Sequence, residues 1–140
     1  MSNKKVLIID DDKEFLAEIT ETLALSGYDT ISVHDVHIAM EMALKAIPDV
    51  ILLDLKMPGK SGFVFAEELR HFSDVGHIPI IAMTGFFEEG FVPLMKVCGI
   101  EKYLRKPFHP LDVIAQVERA QRKNSEQYLQ KEKGAENDSD

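Results

Sequence analysis

Residues 49–59 read Asp49-Val50-Ile51-Leu52-Leu53-Asp54-Leu55-Lys56-Met57-Pro58-Gly59, and this stretch decides the fold. Its unbroken apolar run predicts a short strand that is buried on both faces, as is typical of a parallel sheet. Asp54 ends the run, and the Pro58-Gly59 pair predicts a turn after it. Because ligands of open α/β sheets bind at the carboxyl ends of the strands, Asp54 is the first candidate for chemistry.

The composition limits the class of protein. A chain of 140 residues, 45% of them hydrophobic, is expected to form one domain with a sizeable core. The formal net charge of −8 argues against direct nucleic-acid binding, which needs a basic face for phosphate contacts. The single Cys98 excludes an internal disulfide. Since the sequence shows neither a membrane-spanning apolar run nor a signal segment, we expect a soluble, cytoplasmic protein without membrane insertion.

Strand patterns and helical spacings alternate along the rest of the chain. Further strands are predicted at 5–9, 28–33, 78–83 and 102–104. The apolar residues that indicate the five helices are Phe15, Leu16, Ile19 and Leu23; Ala39, Met42, Ala43 and Ala46; Phe65, Ala66 and Leu69; Leu94, Met95, Val97 and Cys98; and Leu111, Ile114 and Val117. The order βαβαβαβαβα predicts a doubly wound (βα)5 fold of five parallel strands with right-handed crossovers.

The ends of the elements define the domain. Asp12 and Asp35 are predicted N-caps, and the third helix is expected to span 61–72. Apolar spacing fades beyond the fifth helix, so residues 1–121 are interpreted as the domain. Residues 122–140 are interpreted as a helix extension followed by a disordered acidic tail.

Polar side chains follow four of the predicted strands. They are Asp10 and Asp11, then Asp54, then Thr84, then Lys106. Parallel strands end at one edge of a sheet, so these groups are expected to lie together there.

Crowded carboxylates repel, and a hard cation such as Mg²⁺ relieves that repulsion with oxygen ligands. A carboxylate nucleophile, a metal, a lysine and a hydroxyl are suited to holding a phosphoryl group. Taken singly, each residue could be an ordinary turn or surface residue.

Four motifs carry a resemblance to a known family. In chain order they are Val6-Leu7-Ile8-Ile9-Asp10-Asp11-Asp12, Leu52-Leu53-Asp54-Leu55-Lys56-Met57-Pro58-Gly59-Lys60-Ser61-Gly62, Ile80-Ile81-Ala82-Met83-Thr84-Gly85 and Tyr103-Leu104-Arg105-Lys106-Pro107-Phe108. With these motifs the chain resembles the receiver domain of two-component response regulators over about residues 4–121. The resemblance implies a stand-alone receiver with the flavodoxin-like strand order 2-1-3-4-5.

The resemblance also implies the roles of the site residues. Asp54 would be the phosphoacceptor and become an aspartyl-phosphate, with the phosphoryl group coming from a sensor histidine kinase or a phosphotransfer protein. Asp11 would bind Mg²⁺ directly, helped by Asp10, Asp54 and the backbone carbonyl of Lys56. The protein would catalyse only its own phosphorylation and dephosphorylation.

Three further residues would stabilise or report the phosphorylated state. Lys106 would pair with the phosphoryl oxygens, and the Lys106-Pro107 peptide is expected to be cis. Thr84 would donate a hydrogen bond to the phosphoryl group. Tyr103 would be an aromatic switch that turns inward as Thr84 moves. Phe86 is bulkier than the family commonly has two residues after the threonine, and we expect Phe86 and Lys56 to tune water access to the phosphorylated Asp54.

Three functions remain open on the sequence alone. The first is a phosphorelay module that contacts a downstream protein through the fourth helix, fifth strand and fifth helix. The second is a phosphorylation-independent interaction module. The third is an aspartyl-phosphate phosphatase, which needs an acid/base carboxylate where Lys56 stands. A homodimer through the fourth and fifth helices is an option that no residue pattern supports.

Overall fold

A computed structural model describes residues 3–85 and 88–122 of the chain. Its strands, in chain order, are β1 (Lys5–Ile9), β2 (Asp29–Val33), β3 (Val50–Asp54), β4 (Ile80–Thr84) and β5 (Lys102–Arg105). Its helices are α1 (Lys13–Leu25), α2 (Val36–Ala46), α3 (Gly62–Arg70), α4 (Phe91–Val97) and α5, which is described over 110–122. All strand pairs are parallel, in the order β2-β1-β3-β4-β5. The predicted fold and strand order are therefore confirmed.

Alternation along the strands gives the sheet two apolar faces. Leu7 and Ile9 point into a core that includes the buried sides of α2, α3 and α4. Val6 and Ile8 point into a second core with α1 and α5. The two cores cover the central strands on both faces, so β3 and β4 are buried at every residue. The strand ends therefore become the place where buried polar groups can meet.

Side-chain caps fix where three helices begin. Asp12 Oδ1 accepts hydrogen bonds at 3.1 Å from the backbone N–H groups of Glu14 and Phe15. Asp35 caps α2 in the same way. Both predicted caps are confirmed. The span of 61–72 predicted for the third helix is wrong at both ends. Ser61 is the cap of α3 and not its first residue, and α3 ends at Arg70.

One predicted strand boundary and one predicted helix face are also wrong. β4 begins at Ile80 instead of residue 78, because Pro79 lacks an N–H group; only its carbonyl joins the sheet, accepting from the Ile51 amide at 3.0 Å. Leu111 was expected on the inner face of α5 but is 66% exposed, whereas Val113 and Val117 are fully buried. Val113 and Val117 are four residues apart and so share one face of the helix.

The amino edge of the sheet, opposite the strand ends, is held by one arginine. Arg70 at the end of α3 donates hydrogen bonds to the backbone carbonyls of Gly76, Ile78, Cys98 and Gly99. These bonds tie α3 to the start of β4 and to the end of α4. Met95 in α4 and Cys98 directly after it face the core, while Leu94 and Val97 are exposed.

Some predictions lie outside the described residues. They concern Phe86 and the interpretation of residues 123–140 as a helix extension and tail. Within the ranges 3–85 and 88–122, no helix has both the length and the apolar character needed to cross a bilayer.

Candidate functional site

The carboxyl edge of the sheet, where all five strands end, collects the predicted polar residues. Asp10 directly follows β1, Asp54 ends β3, Thr84 ends β4 and Lys106 follows β5. Asp10, Asp54 and Thr84 are at most 6% exposed. Since burying polar groups is costly unless they are paired, this concentration at one edge indicates a functional site.

Three carboxylates form an acidic cluster at this edge. Asp10, Asp11 and Asp54 each place an oxygen within 4.8 Å of the others, and no histidine or cysteine of the described chain joins them. Asp11 is exposed, so a hydrated ion can reach the cluster from solvent. An all-oxygen donor set with one open side suits Mg²⁺, which keeps several of its waters. The three residues therefore fit the predicted metal.

Lys106 lies against the cluster. Its Nζ is 2.5 Å from Asp10 Oδ2 and 3.8 Å from Asp54 Oδ2. Its backbone N–H donates to the Thr84 carbonyl at 2.7 Å, which extends the pairing of β4 with β5. The Lys106-Pro107 peptide is cis, as predicted. The ammonium group thus reaches both buried carboxylates from the last strand end.

Asp54 is held in an environment that opposes its negative charge. Burial is the main cause that raises the pKa of its carboxyl to about 7, and Asp10 and Asp11 raise it further. The Lys56 N–H, which donates to Asp54 Oδ1 at 3.0 Å, and the Lys106 ammonium act in the opposite direction. A cation bound by the cluster would favour the ionised form of this carboxyl, because it offsets the cost of the buried negative charge.

Thr84 and Tyr103 lie on neighbouring strands, where Tyr103 pairs with Ala82 and so falls on the same face of the sheet as Thr84. Thr84 is 1% exposed and ends β4, at the same edge of the sheet as the acidic cluster. Tyr103 is 42% exposed in β5, with Leu104 pointing into the core after it. The aromatic residue at the expected switch position is therefore partly exposed in this structure. Its inward turn stays a prediction, as does the use of the Lys56 carbonyl as a metal ligand.

Two uncharged residues complete the site and were not identified from the sequence as part of it. Phe15, which helical spacing indicated only as a packing residue, places its ring centroid 4.1 Å from Lys106 Nζ. Gly62 starts α3 so close to β3 that a Cβ there would lie 2.5 Å from the Asp54 carbonyl oxygen. The Gly62 position carries a sequence signal, since a glycine directly after a Ser N-cap can mark close backbone approach.

Comparison with known proteins shows the family to which the chain is related. The sequence model described as the response regulator receiver domain matches residues 6–118. The polar-differentiation response regulator DivK of Brucella anthropi is 32% identical over 74% of this chain and 85% of its own length. The DNA-binding response regulator MtrA of Mycobacterium tuberculosis is 32% identical over 89% of this chain and 53% of its own. The chain thus spans about half the length of its MtrA relatives.

Solved structures show the same architecture. Chemotaxis protein CheY4 of Vibrio cholerae superposes with a TM-score of 0.82 at 30% identity, covering 85% of this chain and 99% of CheY4. A CheY-like receiver domain from Methanospirillum hungatei has a TM-score of 0.85 at 21% identity, covering 90% of this chain and 99% of its own. The second likeness concerns the fold alone.

Proposed function

Because the chain belongs to the response regulator receiver domain family, we propose that Asp54 accepts a phosphoryl group from the phosphohistidine of a sensor histidine kinase or a phosphotransfer protein. One observation carries the proposal. The buried Asp54 carboxylate lies within a cluster of three carboxylates and 3.8 Å from a lysine ammonium, at the open edge of the sheet. This arrangement combines a nucleophile, a metal site and a cation for phosphoryl oxygens.

The residues divide the chemistry between them. Asp54 Oδ1 is engaged by the Lys56 N–H, which leaves Oδ2, the oxygen nearer Lys106, to form the new P–O bond. As that bond forms, the bond from phosphorus to the histidine nitrogen breaks, and the nitrogen keeps the electron pair. Lys106 then exchanges its contact with Asp10 for the phosphoryl oxygens. Mg²⁺ held by Asp10, Asp11, Asp54 and the Lys56 carbonyl would supply positive charge against the transferring group.

The proposal is tested by incubating the protein with acetyl phosphate and Mg²⁺ and measuring its intact mass. We expect one phosphoryl adduct, which disappears with EDTA and in Asp54→Asn. Asp74→Asn is the matched control, because Asp74 is exposed in the segment between α3 and β4, far from the cluster. Absence of an adduct from acetyl phosphate and from kinase donors alike would refute phosphoryl acceptance. That outcome would favour the phosphorylation-independent interaction module.

We also propose that the phosphorylated state is read by a cytoplasmic protein partner, and that the chain has no separate substrate to turn over. Support comes from the surface made by α4, β5 and α5, which we call the α4–β5–α5 face. Its exposed apolar side chains are Val92, Leu94, Val97, Tyr103 and Leu111. Such a patch is suited to protein contact. Light scattering with and without acetyl phosphate tests whether a second copy is the partner, since self-association would raise the molar mass only in the phosphorylated sample.

A further inference from the structure

The ammonium group of Lys106 lies near an aromatic ring as well as two carboxylates. The carboxylates are those of Asp10 and Asp54. The ring of Phe15 also approaches Nζ, with its centroid 4.1 Å away. A cation over an aromatic face at this distance is attracted by the ring quadrupole, more strongly where water is partly excluded. Lys106 has a side chain that is 21% exposed, so solvent shields this contact only in part.

The ring of Phe15 is itself held in place from two directions. The Phe15 backbone N–H donates to Asp12 Oδ1 at 3.1 Å, which fixes the first turn of α1. Phe108 packs edge-on against the ring, with centroids 5.6 Å apart and an interplanar angle of 82°. Phe108 lies only two residues after Lys106, so the aromatic pair links the start of α1 to the segment that carries the lysine. The π surface therefore has a defined position relative to the cluster.

A fixed neutral contact matters because the acidic contacts of Lys106 must change during the reaction. Asp10, its nearest partner, also belongs to the group that would hold Mg²⁺. When a cation and a phosphoryl group enter, Asp10 is shared with the cation and holds the lysine less strongly. Phe15 has no charge and no place in the acidic cluster, so its attraction for the ammonium group is independent of metal and phosphoryl binding.

We propose that Phe15 is a positioning residue for phosphoryl transfer, whose ring keeps the Lys106 ammonium group directed at Asp54 while its acidic partners change. This role rests on the proposed phosphoryl acceptance by Asp54. Phe15 acts through Lys106 and contacts no reacting atom. Leucine at this position would keep apolar packing but lose the quadrupole, whereas tyrosine would keep both.

The experiment compares wild type with Phe15→Leu, Phe15→Tyr and the control Phe72→Leu. Phe72 is 41% exposed after the end of α3, so the control makes the same chemical change away from the carboxyl edge. Initial rates of phosphorylation by acetyl phosphate with Mg²⁺ are measured by intact mass. We expect a rate about 2- to 30-fold lower in Phe15→Leu, the range that a cation–π contact supports, and near-wild-type rates in Phe15→Tyr and Phe72→Leu.

A second readout follows the contact itself without phosphoryl transfer. In protein with ¹³C-labelled lysine, the Hε protons of Lys106 should resonate upfield, because the carbon that carries them is bonded to the Nζ that lies over the ring. Lys106→Arg identifies their signal by its loss. The upfield position should vanish in Phe15→Leu and persist in Phe15→Tyr. Urea denaturation establishes that each variant is folded under the assay conditions.

The outcomes separate the two proposals. If wild type is phosphorylated and Phe15→Leu reacts at the same rate, the positioning role is wrong while phosphoryl acceptance stands. An equal loss of rate in Phe15→Leu and Phe15→Tyr would also overturn the role, because the ring would then have no specific effect. If wild type takes up no phosphoryl group, the proposed function fails, and the role of Phe15 fails with it.

Discussion

Replacing Asp54 by asparagine should stabilise the folded protein above neutral pH in the absence of metal. The folded state raises the pKa of this carboxyl from its ordinary value of 3.8 to about 7, chiefly because the group is buried. Between those two values the folded state binds the proton more tightly than the unfolded state. The contribution of Asp54 to the free energy of unfolding therefore falls as pH rises through this window, and the loss is complete above the folded pKa.

The size of the effect follows from the pKa difference. A rise from 3.8 to about 7 corresponds to about 4 kcal/mol if fully expressed. Water at the open edge of the sheet screens part of this, so we expect about 2 kcal/mol. An asparagine side chain has nearly the shape of the aspartate that it replaces, and its carbonyl oxygen can still accept from the Lys56 N–H. The substitution thus removes the charge with little change in packing.

The assay is urea denaturation at a series of pH values from about 4 to about 8, without metal and with Mg²⁺. The stability of Asp54→Asn relative to wild type should grow along the series by about 2 kcal/mol and level off above pH 7. Mg²⁺ should stabilise wild type more than Asp54→Asn, because it neutralises the charge that the variant lacks. In the control Asp74→Asn, the difference from wild type should stay flat over the same window. A flat difference for Asp54→Asn, or a variant less stable than wild type at the alkaline end, would refute the reasoning.

Other substitutions test the backbone that supports the site, each by urea denaturation. Gly62→Ala should lower stability by about 1–3 kcal/mol, since the added Cβ would lie 2.5 Å from the Asp54 carbonyl oxygen; Gly90→Ala, with no neighbour within 4 Å, should be close to neutral. Arg70→Met should cost about 2–4 kcal/mol, because four backbone carbonyls lose their donor, and an effect below the measurement error would contradict that account. Ile47→Gly should raise stability by about 0.5–1 kcal/mol by relieving its φ of 48°, and a loss would show that the exposed side chain contributes more than the strain.

The centre of the sheet could be predicted because β1, β3 and β4 are buried on both faces. Their apolar runs are short enough to indicate strands instead of helices, and the alternation with helices favours parallel pairing. The helix caps could be predicted as well, because an aspartate before an apolar periodicity has a local partner in the backbone. The start of β4 was placed two residues too early, although Pro79 lacks the N–H group that a strand residue donates and so carried a local signal for a later start.

The faces of the later helices were harder to predict for a related reason. α5 contains apolar residues at several spacings, and Leu111, Ile114 and Val117 form a pattern of threes that competes with Val113 and Val117. The sheet decides between them, because α5 packs on the face that presents Val6 and Ile8. A helix with surplus apolar residues thus exposes some of them, and Leu111 on the α4–β5–α5 face is one of these.

The polar residues of the site were predictable, and its apolar residues Phe15 and Gly62 were not, for one physical reason. An acidic residue directly after an apolar strand is unusual, so Asp54 and Asp10 can be recognised in the sequence before any contact is known. Phe15 and Gly62 are not unusual in this way, because an aromatic residue in a helix and a glycine after a cap each have an ordinary structural role. Their part in the site arises only from distance: a ring 4.1 Å from Lys106 Nζ, and a backbone with no room for a Cβ. The residues that place a reactive group can therefore be expected among those that local sequence assigns to packing, and variants of Phe15 test whether that holds here.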